Sequence, residues 1–405
     1  MGYTGDAIKG ISWSWILTAS TRFISIARTI LLARILLPSQ FGIYGIGILV
    51  LSFAEILTET GINVFLIQNK ESTNKYIDTA WLLSILRGVI IFALMLLTSS
   101  YVSQFFNAPD AFGLLLLFSL VPLIRGFINP SIIKFQKELR FDKELWFRIS
   151  ILLMDSLIAI TLAFYTKSVL SLAVGLICGA LLEVILSFIL VKPIPKIRLE
   201  KEKLFLVINR GKWITLSGIF SYLYHNLDNI IVGRMLGTVN LGLYVMAYNI
   251  SRLPITDVSD VVSKVTFPVY SLISEDKQRL TKAFLKSLLL VSVVSISFGL
   301  VLFIYTDRIV ILVLGDKWLG MVNVLKILVV FGVIRAISGS SSSLLLSVGK
   351  QKEVSVVTLV SIFGLAVTLV PLVQAYGIIG AGISALIGTL AALPFMFYFT
   401  YKTLK

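Results

Sequence analysis

Arginines inside apolar stretches are the residues here whose chemistry asks for an explanation. At 100° per residue, Ser14, Thr18, Thr21, Arg22, Ser25, Arg28 and Thr29 fall within roughly a third of a helix circumference. They form one polar stripe with an arginine at each margin. Two hundred residues on, Ser217, Ser221, Tyr224, His225 and Asp228 form a second stripe. Ser52, Glu55, Glu59 and Asn63 share a face of the second helix, and its repeat counterpart carries Asn249, Arg252, Thr256, Ser259, Asp260 and Ser263. Pro254 is placed to break that last helix and free its carbonyls, which is tolerable only beside a cavity or protein. A charge at the centre of a membrane helix costs about 2.5–3.5 kcal/mol, so Arg22, Arg28 and Arg252 are expected to face a cavity. Guanidinium is planar and permanently charged, and it pairs naturally with phosphate. A cationic cavity for an anionic, phosphate-bearing substrate is therefore the expected chemistry. Ser25, Glu55, Glu59, Asp228, His225 and Asp260 are the polar and coupling candidates of that cavity. The carboxylates could take up H+ or Na+. His225 could gate protons, a hydrogen-bonded structural role being the alternative. Arg87, Arg125, Asp155, Glu183 and Arg335 are further single charges that either face the cavity or form buried ion pairs fixing helix register. Lys264 and Lys326 lie near helix ends, where long side chains snorkel.

Other chemistries are excluded by what the chain lacks. Cys178 is its only cysteine and His225 its only histidine, so disulfide frameworks and Cys- or His-cluster metal sites do not arise. No Gly-rich phosphate loop precedes Lys-Ser/Thr, and no zinc motif appears. The chain is read as a transporter and not an enzyme, with no cofactor beyond a possible coupling H+ or Na+.

These residues must be positioned by membrane helices. The chain is 57% hydrophobic and only 14% charged, with a mean hydropathy of +0.94. Soluble domains sit nearer ~45–50% and ~25%. The excess falls in blocks of about 20 residues, the length that spans a bilayer as a helix. Lipid offers the backbone no hydrogen-bond partner, so helices are required, and the short alternating segments of a β-barrel are absent. The expected fold is an all-α polytopic membrane protein of about twelve helices. They lie near 11–32, 42–67, 76–98, 111–131, 146–165, 169–190, 208–232, 241–264, 283–305, 322–346, 354–375 and 378–400. The first stretch carries Arg22 and Arg28 and no cleavage pattern follows it, so it is read as a retained helix rather than a signal peptide. Ala381, Ser384, Ala385 and Gly388 have the spacing of helix packing.

The net charge of +15 is topological. With the N-terminus inside, the cytoplasmic segments hold 24 Lys and Arg against 5 outside, which puts both termini in the cytoplasm. No soluble face exists to carry a nucleic-acid site. One Pro- and charge-rich linker, 192–206, separates an N-lobe of helices 1–6 (1–191) from a C-lobe of helices 7–12 (207–405). The halves are related. Arg34/Arg234, Leu36/Leu236, Gly42/Gly242 and Tyr44/Tyr244 match without a gap, Trp13/Trp213 extends the register, and Asp228 falls at the position of Arg28. Six helices per half keep the same orientation, which makes them parallel, pseudo-symmetric repeats. If the halves face each other, the stripes share one cavity.

Four stretches carry a family resemblance: Leu32-Ala-Arg-Ile-Leu-Leu-Pro-Ser-Gln-Phe-Gly-Ile-Tyr44; Phe135-Gln-Lys-Glu-Leu-Arg-Phe141; Asn226 to Tyr248 running into Arg252-Leu-Pro254; and Leu314-Gly-Asp-Lys-Trp318. The chain resembles the polysaccharide flippases of the multidrug/oligosaccharidyl-lipid/polysaccharide exporter (MOP) superfamily over nearly its whole length. The resemblance implies two six-helix bundles around a central cavity, as in MATE transporters and lipid II flippases, working by alternating access. It implies export of undecaprenyl-diphosphate-linked oligosaccharide units across the bacterial cytoplasmic (inner) membrane, for cell-surface products such as lipopolysaccharide O-antigen or exopolysaccharide. Lipid II flippases line their cavity with arginines on the first and eighth helices, where Arg22, Arg28 and Arg252 sit here. Implied partners are the lipid-linked glycan, membrane lipids, a polysaccharide polymerase and glycosyltransferases, with the protein itself monomeric. Many relatives continue for two more helices, whereas this chain stops at Lys405, which puts a lipid groove built from such helices in doubt. A multidrug/cation antiporter of the same fold would need an acidic cavity, against the basic stripe; a lipid II flippase is the other alternative.

Overall fold

The computed structural model describes residues 3–58, 76–138, 140–196, 201–253 and 255–405, without the side chains of 3–12, 14–15, 201–217 and 256–257. Glu59, Asn63 and Pro254 lie outside these residues, as do the side chains of Ser14, Ser217 and Thr256. The described residues are helical and contain no strand. Contacts divide the chain into two compact units, Met1–Asn226 and Leu227–Lys405.

The first unit contains α1 (Tyr3–Ile35), α2 (Pro38–Leu57), α3 (Ile77–Phe105), α4 (Ala111–Arg125), the short α5 (Lys134–Lys137), α6 (Phe141–Thr166) and α7 (Leu170–Leu190). Local chemistry fixes the boundaries. Pro38 opens α2, where its missing N–H is not needed, and the Gln40 side chain accepts the Leu37 N–H at 2.9 Å. Gln40 Nε2 also donates to the Lys167 carbonyl, which ties the start of α2 to the end of α6. Glycine lets α3 and α4 touch: a Cβ on Gly88 would stand 2.5 Å from the Pro122 carbonyl. After Arg125 the chain bends by 74° into Pro130–Lys137, so 111–131 is not one straight helix. The bend is held by Asn129, fully buried. Its Oδ1 accepts from Ser131 N, and its Nδ2 donates to the carbonyls of Val191 and Pro193.

The stretch α8 (Lys201–Arg252) runs through the division between units and is kinked at Gly237, a non-helical residue at φ +80° that separates it into two helices. The linker reading placed the lobe boundary at 192–206, whereas the contact division falls inside this stretch. The second unit adds α9 (Ile255–Leu272), α10 (Lys277–Ile304), α11 (Thr306–Val313), α12 (Val322–Ser347), α13 (Gln351–Tyr376) and α14 (Ile378–Leu404). Asp276 caps α10 by accepting the Arg279 N–H at 3.0 Å. Gly377, at φ +59°, makes the turn between α13 and α14, a conformation that favours glycine. Those two helices then pack through glycine, since a Cβ on Gly388 would lie 2.6 Å from the Ser361 carbonyl. Ala381, Ser384 and Ala385 are buried on α14.

Among the described residues, ten helices are long and apolar enough to cross a membrane, or eleven if the bent pair Ala111–Arg125 and Pro130–Lys137 counts as one span. The chain is a multi-pass membrane protein. The expectation of twelve differs mainly between 208 and 264. There the two helices that meet at the Gly237 kink run on as one stretch from Gly218 to Arg252, and α9, long enough, carries Asp257, Asp260 and Lys264 and is too polar to count.

Candidate functional site

The first unit holds two adjoining cavities of about 510 and 500 Å³. Thr18, Thr21 and Ser25 of α1 line the first, and Glu55 of α2, Ser84 and Arg87 of α3 line the second. Arg125, Glu144, Arg148 and Glu183 belong to both. The stripe hydroxyls send their protons back into their own helix, Thr21 to the Leu17 carbonyl and Ser25 to the Thr21 carbonyl. Their lone pairs are left to accept.

The charges at and beside these cavities are held by polar partners. Arg28 Nη2 donates to Asp155 Oδ1 at 3.0 Å, with side-chain exposures of 15% and 9%. Its Nε is buried without a hydrogen-bond partner, and its guanidinium also lies beside Tyr44. Arg125 Nε donates to Glu183 Oε2 at 3.2 Å, and its Nη1 lies 3.9 Å from Glu55 Oε1. Arg87 donates to the Glu55 carbonyl and the Thr58 hydroxyl, satisfying the last turn of α2, where carbonyls lack helical partners. Arg148 and Gln136 converge on Glu144 Oε1, each at 2.8 Å. The expected cationic cavity is thus, within this unit, an alternating set of donors and acceptors. Arg28 enters it as half of an ion pair instead of a lone cation. Asp155, Arg125 and Glu183 were visible in sequence only as single charges; their partners lie 127 and 58 residues apart.

Arg22 and Ser25 are exposed on α1, and on α8 His225 is exposed, its Nδ1–H donating to the Ser221 carbonyl at 2.8 Å. In the second unit Asp228 is buried, accepting the Tyr244 hydroxyl and the Asn229 N–H, each at 2.8 Å. Arg28 with Tyr44 and Asp228 with Tyr244 occupy matching repeat positions, so each half carries the same helix-to-helix contact with the charge reversed. Arg252 is half-buried, its guanidinium carbon 5.9 Å from the Tyr248 ring centroid, and Arg335 donates to the Tyr248 hydroxyl. Asp260 is exposed on α9. Among the described residues no group of three His, Cys, Asp or Glu is placed to hold a metal ion.

A family profile described as "Polysaccharide biosynthesis protein" matches residues 31–323. The lipopolysaccharide biosynthesis protein WzxC of Escherichia coli (strain K12) is 26% identical over 349 residues, covering 86% of this chain and 71% of its own. The teichuronic acid biosynthesis protein TuaB of Bacillus subtilis (strain 168) is 25% identical over 369 residues, covering 86% and 72%. Among solved structures, the lipid II flippase MurJ in an inward closed conformation superimposes with a TM-score of 0.73 at 16% identity, over 97% of this chain and 89% of its own.

Proposed function

Because this chain belongs to the polysaccharide biosynthesis protein family, we propose that it is a flippase for polyprenyl-diphosphate-linked oligosaccharides. It carries each unit from the cytoplasmic to the periplasmic leaflet by alternating access, for assembly of a cell-surface polysaccharide such as an O-antigen or exopolysaccharide. The observation that carries this reading is a set of water-accessible charged cavities among membrane-crossing helices in a chain of this family. Diphosphate and sugar cannot cross hydrocarbon unsolvated, and such a lining replaces their water. Relatives named for lipopolysaccharide and teichuronic acid biosynthesis support the substrate class.

In this reading the diphosphate is held by Arg22 and Arg252, and by Arg28 once Asp155 yields. Twelve helices form two six-helix bundles with both termini cytoplasmic. Transport is driven by H+ or Na+ exchange at carboxylates such as Glu55, Asp228 or Asp260, Glu59 remaining a further candidate. The polymerase and glycosyltransferases of the same polysaccharide are its partners, and it works as a monomer in the bacterial cytoplasmic membrane. A host lacking the gene tests the reading. The expected result is loss of the polysaccharide with accumulation of lipid-linked repeat units, restored by the wild-type chain. Normal surface polysaccharide without accumulation would refute it.

A further inference from the structure

Among the described residues, the lining of the first unit's cavities carries no positive excess. Arg87, Arg125 and Arg148 line them with Glu55, Glu144, Asp155 and Glu183, three guanidinium groups against four carboxylates, and Arg28, outside the lining, pairs with Asp155. The lining charges come from five helices: Glu55 from α2, Arg87 from α3, Arg125 from α4, Glu144, Arg148 and Asp155 from α6, and Glu183 from α7. A phosphate site needs positive excess, because an added anion must be balanced where water is scarce. This lining offers none. It offers fixed donors and acceptors in alternation.

We infer that these cavities are the glycan subsite of the transporter, recognising the hydroxyl groups of the sugar units while the diphosphate is held elsewhere. The inference rests on the flippase reading above. A sugar hydroxyl donates and accepts at once, so neighbouring guanidinium and carboxylate groups can serve adjacent hydroxyls together. The ion pairs hold those groups in place without exhausting them. Arg125 spends its Nε on Glu183, and its side chain remains 39% exposed, with Glu55 at 36% and Arg148 at 53%. Arginine has five N–H donors and a carboxylate about four acceptor positions, so capacity is left over. The α1 hydroxyls add lone pairs along one wall. Phe135 and Phe147 contribute apolar surface to the second cavity, where the C–H faces of a sugar ring would lie. Volumes near 500 Å³ lie in the range of small-molecule sites.

The test compares two probes on the purified full chain. One is bare undecaprenyl diphosphate. The other is the lipid-linked glycan extracted from the host that lacks this gene. In Arg125→Gln and Glu183→Gln, affinity for the glycan-bearing lipid is expected to fall about tenfold or more, as for a lost charge-assisted hydrogen bond, with bare lipid within about twofold of wild type. Ser25→Phe, which fills the first cavity and breaks no ion pair, should give the same split should the other variants fail to fold. An equal loss for both probes would make this a phosphate site and overturn the inference. Folded variants that bind both probes like wild type would make the ion pairs merely structural, and overturn it equally. Failure of the wild-type chain to bind either probe would refute the flippase reading itself.

Discussion

Removing the Asp155 carboxylate isolates one consequence of the ion-paired site. Arg28 and Asp155 are 3.0 Å apart with side-chain exposures of 15% and 9%, so neither charge is well solvated. At an effective dielectric near 20 their attraction is roughly 5 kcal/mol, most of which offsets desolvation of the two ions. Breaking such a pair from one side leaves an uncompensated charge and costs about 3–5 kcal/mol. Asp155→Asn alone should therefore destabilise the protein strongly, as should Arg28→Gln alone. Arg28→Gln combined with Asp155→Asn, two neutral amides within hydrogen-bond reach, should recover most of the loss. The assay is a double-mutant cycle on the unfolding of the detergent-solubilised protein, with the membrane level of each variant as control. A coupling of about 2 kcal/mol or more is expected. Additivity within about 0.5 kcal/mol would refute the ion-pair argument.

Other positions give sharp outcomes. Tyr244→Phe removes the hydroxyl donor of buried Asp228 and should cost about 1–3 kcal/mol in the same assay, with Tyr244→Phe/Asp228→Asn less affected than the single variant. Gly175→Val would press a Cβ to 2.7 Å from the Asp155 carbonyl and force α6 and α7 apart; reduced membrane accumulation is expected, and wild-type levels would contradict it. Asn129→Ala withdraws the acceptor for Ser131 N and the donor to the Val191 and Pro193 carbonyls, so limited proteolysis should become faster between 126 and 140.

Much of the helical framework is legible in the hydropathy. The blocks near 76–98, 169–190 and 283–305 reappear as Ile77–Phe105, Leu170–Leu190 and Lys277–Ile304, because lipid-facing length and apolarity determine them directly. Breaks are less legible. The helix ending at Arg125 interrupts a run whose apolarity continues, and only local turn chemistry ends it. The site divides in the same way. The hydroxyl stripe on α1 is a helical periodicity, and periodicity survives in one dimension. The pairing of Arg28 with Asp155 and of Arg125 with Glu183 is not, since nothing local relates residues on separate helices. Single charges of opposite sign on different spans were the available signal, and they invite a pairing reading before a cationic one. The reversed contact, Arg28–Tyr44 against Asp228–Tyr244, was half visible in the repeat register and needed coordinates to become a contact.

Transbilayer movement itself remains the most direct test. Lipid-linked repeat units from the null host, incorporated into vesicles with or without the purified chain, are followed by their accessibility to a membrane-impermeant sugar-modifying reagent. Protein-bearing vesicles should expose the inner-leaflet pool faster than protein-free ones, with Ser25→Phe slowing that exposure. Equal rates with and without correctly folded protein would contradict the account.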